Sequence, residues 1–351
     1  MNLVERIRDA ISAPALEADA FDALALEAFA YQLARVPAYR ALCERAGRTP
    51  ATVGSWREVP TVPAAAFAAV ELATDPPVET FRTSGTLGAE RGVHRQPFPE
   101  LYRAAIDATF PRYCLPRGDT PSILALVPPR AVAPDSSLAF MIDHVVARFG
   151  GAGSAWGLGA RGVEVGACRS WLGAAQRGGR PVLVLATALA LADLTDRLER
   201  MGLHFRLPAG SAVFETGGLK GREREIDRDA LVAAVGRWLG VGPESIVAEY
   251  GMTELSSQAY TETLAGGEPG RFVAPPWLKA RALDPETLAE RPAGESGRLA
   301  FFDLANLGSA LHVMTEDLGE VAADGSFRLA GRAADAELRG CSLLAEELSR
   351  T

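Results

Sequence analysis

One pattern recurs through the middle of the chain, a short apolar run paired with a longer helix-like segment, and it limits the possible folds more than any other feature. Residues 123–127 (Ile123, Leu124, Ala125, Leu126, Val127) form an apolar run bounded by prolines, and residues 138–149 follow with helical periodicity. The pattern returns in residues 181–186 with 188–201, and again where a helix-like 229–239 precedes an apolar 246–249. Short apolar runs without polar alternation are what strands covered on both faces require, and the segments between them are long enough to cross back over a sheet. The reading is therefore an α/β fold built on a parallel sheet with crossover helices. Before it, residues 16–47 read as helices rich in Ala, Leu and Glu, with a stop at Gly47, and residues 60–77 are punctuated by prolines. Beyond Pro275 the character changes to short strands, 278–283 and 297–303, separated by Pro, Gly and Asp, which predicts a small β-rich part over about 275–330.

Against this frame three clusters carry candidate chemistry. The first, Thr83-Ser84-Gly85-Thr86-Leu87-Gly88, combines hydroxyls with glycines, so its backbone N–H groups can turn toward an anion without Cβ interference; Arg91 follows closely. The second, Tyr250-Gly251-Met252-Thr253-Glu254, directly follows the predicted strand 246–249 and so falls at a carboxyl edge, where open α/β sheets bind ligands. It offers a ring to stack on a base, a hydroxyl to reach a phosphate and a carboxylate for a divalent cation. The third comprises Thr315-Glu316-Asp317-Leu318-Gly319 with Gly331-Arg332. Each has a plainer reading by itself: a surface turn, a core aromatic at a strand end, a helix-start carboxylate. Their order and wide separation give the set its weight. A further match, Gly157-Leu158-Gly159-Ala160-Arg161-Gly162, fits the dinucleotide pattern but lies in a glycine-crowded stretch without a clear preceding strand, and is set aside.

The three clusters together resemble the adenylate-forming superfamily of acyl-CoA synthetases, nonribosomal adenylation domains and luciferases. The resemblance implies ATP as co-substrate with Mg2+, the Thr83, Ser84, Gly85, Thr86 and Gly88 loop on the phosphates, and Thr253 at the α-phosphate. It also implies that Glu254 is the magnesium ligand, Tyr250 with Gly251 lie at the base, Asp317 holds the ribose hydroxyls and Arg332 sits beside it. Leu87 stands where a second Thr is usual and Arg91 where a Lys is usual; arginine keeps the charge but not the compact ammonium. The superfamily continues past its Gly-Arg motif into a C-terminal domain with a catalytic lysine, whereas nineteen residues follow Arg332 here and none is a lysine. That end, with Cys341 in it, is similar to the LuxE-type acyl-protein synthetases of fatty acid reductase systems. Residues 134–138, 141–144 and 215–221 support the same resemblance.

This resemblance implies an adenylate-forming α/β domain over 1–332 and a tail, 333–351, carrying Cys341. The expected reaction activates a carboxylic acid, a fatty acid by analogy, to an acyl-adenylate and transfers the acyl group to Cys341 as a thioester. A reductase partner would then receive it. Gly217 and Gly218 would let backbone approach the adenine, and Lys220 is the candidate replacement for the missing lysine. Two alternatives stay open, an enzyme that hands its acyl or aryl group to an external carrier-protein thiol or amine, and a catalytically silent nucleotide-binding scaffold.

Composition bears on what else the chain can be. With 351 residues, 48% hydrophobic and 23% charged, it can bury a core and divide into about two or three subdomains. Its 36 basic and 44 acidic side chains leave a net charge of −8, with no footprint for a nucleic-acid backbone. Of the basic residues only Lys220 and Lys279 are lysines, so any lysine-dependent step has two candidates. Residues 1–6 open an amphipathic stretch containing Glu5 rather than a leader, and no segment has the apolar length of a membrane span, so the expected location is the cytoplasm. Cys43, Cys114, Cys168 and Cys341 lie far apart and the four histidines form no ligand pair, which predicts neither structural zinc nor a disulfide framework. His144 is read as a structural residue, and the first three cysteines as small core hydrophobes.

Overall fold

The computed structural model describes residues 1–83, 91–159, 162–217 and 226–333. Ser84, Gly85, Thr86, Leu87, Gly88, Gly218, Lys220 and Cys341 lie outside the described residues. The chain divides into two compact units. One takes Met1–Ala108, Met252–Gln258 and the residues from Val273 on; the other takes Thr109–Gly251 and Ala259–Phe272.

The first unit begins with three helices, Leu3–Ser12, Ala18–Arg35 and Pro37–Arg45. Asn2 and Glu5 form a reciprocal capping box on the first, each side chain taking the other's backbone N–H at 2.9 Å. The second and third break at Val36 because Pro37 holds the residue before it extended, and Val36 has φ −108° and ψ 96°. The stop at Gly47 is real, with φ +65°. The sheet of this unit is antiparallel, in the order Leu278–Leu283, Ser296–Asp303, His312–Val321, Phe327–Arg332, and Val62–Pro63 adds in parallel to His312–Val321. This is the predicted β-rich part, and every residue of Ser296–Asp303 after Ser296 is buried, Arg298 and Asp303 included. Phe21, Trp56, Phe302 and His312 meet edge-on or tilted between helices and sheet, with ring centroids 5.4–6.0 Å apart. A separate hairpin pairs Glu79–Arg82 with Val93–Gln96.

The second unit holds the parallel sheet. Its strands run in the order Ala155–Trp156, Ser122–Leu126, Val182–Thr187, Ala212–Thr216, Ile246–Tyr250, and Ala259–Thr261 closes antiparallel on the last. Helices Ser137–Phe149, Val165–Gly178, Ala188–Arg200 and Arg228–Leu239 alternate with them. The predicted strands and crossover helices thus appear within a residue or two of where the periodicity placed them. Among the elements that went unread are Val165–Gly178, whose Gly166 and Gly173 lower its helix propensity while Cys168 and Leu172 anchor it in the core, and Ala212–Thr216, five buried residues without alternation. Cys43, Cys114 and Cys168 are all buried, and burial raises each thiol pKa, to about 12 for Cys43 and about 11 for Cys168.

Candidate active site

In the first unit, the hairpin Glu79–Arg82 with Val93–Gln96 sets the two ends of the glycine-rich loop side by side. Thr83 N–H donates to the Gly92 carbonyl at 2.9 Å, and Gly92 N–H donates to the Thr83 hydroxyl oxygen at 2.8 Å. Arg91 lies across this base: its Nε donates to the Thr83 carbonyl at 2.6 Å and its guanidinium to the Arg82 carbonyl at 3.2 Å. A Cβ on Gly92 would stand 2.9 Å from the Thr83 Cγ2, so the close approach of the two ends depends on glycine.

Alternation along Val93–Gln96 turns His94 and Gln96 into the interior, where both are buried. His94 meets the second cluster there, its Nδ1 lying 2.5 Å from the carbonyl oxygen of Thr253. Gln96 Nε2 lies 3.0 Å from the other imidazole nitrogen and donates to Ser256 Oγ at 2.6 Å. The Ser256 hydroxyl donates to Asn306 Oδ1 at 2.8 Å, and Asn306 Nδ2 donates to the Glu254 carbonyl at 2.8 Å. Asp303 holds the same turn, accepting from Ser256 N–H at 2.9 Å and from the Ser257 hydroxyl at 2.7 Å. None of His94, Gln96, Ser256, Asp303 and Asn306 was read from sequence. The available signal was two polar residues, His94 and Gln96, at alternate positions of a strand otherwise open to either reading.

Glu254 itself is 8% exposed. Burial pushes its carboxyl up to about 7; its own backbone N–H draws it down, Glu316 and Asp317 push it further up, and Arg332 draws it down. The second and third clusters therefore sense each other electrostatically within this unit. Asp317 and Arg332 face one another across the antiparallel pair His312–Val321 and Phe327–Arg332, joined Oδ1 to Nε at 3.3 Å. Thr315 fixes the turn of the chain before them, its hydroxyl accepting the Asp317 N–H at 3.0 Å and donating to the Leu299 carbonyl at 2.9 Å.

The second unit holds the remaining candidates. Ala212–Thr216 and Ile246–Tyr250 are adjacent parallel strands with Thr216 opposite Glu249, so Gly217 and the Tyr250-Gly251 pair leave the sheet side by side at its carboxyl edge. Gly217 has φ +89°, and the space a Cβ would enter is open. Tyr250 is buried and edge-on to Phe272, centroids 6.1 Å apart. The Thr216 hydroxyl donates to Glu249, whose carboxyl burial pushes up to about 7, and Arg228 pairs with Glu215 at 2.8 Å. Gly157–Gly162, the dinucleotide-like match, contributes Leu158–Gly159 and Gly162–Val163 to a short antiparallel pair.

Comparison with known proteins bears on this geometry. Residues 179–349 match the family described as "Acyl-protein synthetase, LuxE". Relatives of this chain include the long-chain-fatty-acid–luciferin-component ligase of Vibrio harveyi, 28% identical over 137 residues, which are 36% of this chain and 35% of that protein. The protein of the same name from Aliivibrio fischeri is 45% identical over 47 residues, 13% of this chain and 12% of the relative. The matched stretches thus span about a third and about an eighth of those relatives.

Among solved structures, 2-hydroxyisobutyryl-CoA ligase with 2-HIB-AMP and CoA superposes with a TM-score of 0.64 at 15% identity, covering 93% of this chain and 78% of that one. ATP-bound MatB from Rhodopseudomonas palustris gives 0.51 at 18% identity, covering 72% and 47%. The chain therefore has the fold of adenylate-forming enzymes, as the ordered clusters implied. Among the described residues, no helix is long and apolar enough to cross a membrane.

Proposed function

We propose that this chain is an ATP-dependent acid–thiol ligase that activates a carboxylic acid, a fatty acid first among the candidates, and carries the acyl group on Cys341. The observation that carries this reading lies in the first unit. The base of the Thr83 loop, Thr253 with Glu254, and Asp317 with Arg332, far apart in sequence, are tied through His94 and through the field at Glu254.

In the first step a carboxylate oxygen of the acid attacks the α-phosphorus of ATP, and pyrophosphate leaves with the electrons of the broken P–O bond. Such transfers need positioning and charge neutralisation more than covalent help from the protein. Thr83 with the loop residues Ser84, Gly85, Thr86 and Gly88 is assigned to the phosphates, with Arg91 bracing the loop base, and Thr253 to the α-phosphate. Asp317 is assigned to the ribose hydroxyls with Arg332 beside it, Lys220 to charge neutralisation, and Gly217, Gly218, Tyr250 and Gly251 to the base.

Magnesium fits the donor set. Mg2+ is held by one or two carboxylates together with phosphate oxygens and water rather than by a protein cage. Glu254 supplies such a carboxylate, buried, with its pKa pushed up to about 7 first of all by that burial. When bound, the ion would supply charge neutralisation for the phosphates. In the second step the Cys341 thiolate attacks the acyl carbon and AMP leaves, a reaction suited to a thiol because thiolate is strongly nucleophilic near neutral pH. A reductase protein is the partner proposed to accept the thioester.

Intact mass after incubation with ATP, magnesium and a panel of carboxylic acids tests this directly. Wild type gains an acyl mass removable by hydroxylamine, while Cys341→Ser gains none yet still exchanges labelled pyrophosphate into ATP. If wild type stays unmodified with every acid that supports exchange, the self-acylation reading fails and transfer to an external acceptor replaces it.

A further inference from the structure

Thr253 and Glu254 are held by a closed circuit of hydrogen bonds whose members all lie in the first unit. A carbonyl oxygen only accepts, so the His94 nitrogen 2.5 Å from Thr253 O carries the hydrogen. His94 is fully buried and burial lowers its pKa to about 4, so the ring is neutral and its Nε2 bears a lone pair. Gln96 must then present its amide nitrogen, one hydrogen to His94 Nε2 and the other to Ser256 Oγ. Ser256 passes its hydrogen to Asn306 Oδ1, and Asn306 Nδ2 uses its two on the carbonyls of Glu254 and Ala310, at 2.8 and 2.6 Å. The circuit runs from His94 through the peptide carbonyls of Thr253 and Glu254, back by Asn306, Ser256 and Gln96. Phe67 stands edge-on against the imidazole, centroids 5.4 Å apart.

We propose that His94 is a positioning residue for the Thr253–Glu254 pair: its Nδ1–H fixes the Thr253 carbonyl, and through it the direction in which the Thr253 hydroxyl and the Glu254 carboxylate are presented. The proposal rests on the acyl-activation reading for what those two groups do, but not for how they are held. Outer hydrogen-bond partners of this kind tune a site by orienting the groups that touch the ligand. No contact between His94 and substrate is required.

The two amide replacements separate this role from bulk stability. In His94→Asn the amide nitrogen falls where Nδ1 stands and retains the bond to Thr253; in His94→Gln it falls where Nε2 stands and does not. Thermal unfolding first establishes that both variants fold. The expected result is that His94→Gln lowers kcat of acid-dependent pyrophosphate exchange about a hundredfold with a far smaller change in KM for ATP, and that His94→Asn restores most of it. Calorimetric ATP binding with and without Mg2+ gives a readout without turnover: wild type and His94→Asn gain affinity on adding the metal, and His94→Gln loses that gain. Imidazole 15N–1H correlation spectra of wild type should show the Nδ1–H tautomer. A folded His94→Gln with undiminished kcat and metal gain, or an Nε2–H tautomer, overturns the proposal. If wild type exchanges no pyrophosphate with any acid while His94→Gln still abolishes the metal gain, the acyl-activation reading fails and the positioning role stands.

Discussion

His94 and Thr253 are 159 residues apart in sequence, and the imidazole of one donates to the backbone carbonyl of the other at 2.5 Å. The strand returning from the hydroxyl- and glycine-rich loop is thereby bonded to the run that carries Glu254. Two candidate nucleotide motifs share one rigid support.

Glu254→Gln separates charge from shape. The amide keeps the volume but cannot anchor a divalent cation, so magnesium-dependent pyrophosphate exchange should fall to background. Stability should move the other way. The folded pKa of about 7 exceeds the unfolded value of 4.5, so the folded state binds more protons between them and loses stability as pH rises through that window. At pH 8 the Gln variant should therefore unfold later than wild type, by an amount equivalent to about 3 kcal/mol. Undiminished exchange in the folded variant would remove Glu254 from the metal site.

Asp317→Ala should weaken ATP binding, because the ribose hydroxyls lose an ionised acceptor worth about 1.5–3 kcal/mol, or about ten- to a hundredfold in Kd. Arg332 also loses its partner, but that pair is partly exposed and contributes little to the fold. Calorimetric titration checks this, and wild-type affinity in the variant would show the ribose assignment to be wrong.

Gly92→Ala tests the base of the loop. The added methyl meets Thr83 Cγ2 at 2.9 Å and Phe67 Cβ at 3.3 Å, so one end of the loop has to shift. A loss of about 1–3 kcal/mol in chemical denaturation is expected, together with weaker ATP binding. A variant as stable and as tight-binding as wild type would mean that the two ends of the loop need not approach so closely.

His312 gives a pH signature of the fold away from the candidate site. Its Nδ1 donates to the Val59 carbonyl at 2.8 Å, Nε2 is buried with no partner among the described residues, and burial, aided by Arg281, lowers the pKa to about 3 from 6.5. The unfolded chain binds more protons between those values. Stability from this group is full above pH 6.5 and lost as pH falls toward 3, at about 1.4 kcal/mol per pH unit. Buried carboxyls with raised pKa, Glu249 and Asp303 among them, act with the opposite sign, so the informative quantity is the difference between wild type and His312→Asn. The Asn variant keeps a donor to Val59 and does not titrate. Urea midpoints from pH 7 to pH 5 should fall less in the variant than in wild type; parallel declines would argue against a buried neutral His312.

By itself the sequence determined three of the parallel strands and three of the helices of the second unit, the β-rich part after Pro275, and the order of the three candidate clusters. These are local: uninterrupted apolar runs mark strands covered on both faces, glycines and hydroxyls mark a loop open to anions, and neither depends on what lies elsewhere in the chain. Tertiary structure decided which distant residues support the clusters. That Asp317 stands opposite Arg332 follows from strand register, and that Glu254 is buried beside Glu316 and Asp317 follows from packing. The circuit through His94, Gln96, Ser256 and Asn306 was illegible in advance because no member has a spacing signature. Each becomes a partner only when its strand or turn is buried against the others, and a buried polar group must then find a hydrogen bond wherever the fold supplies one.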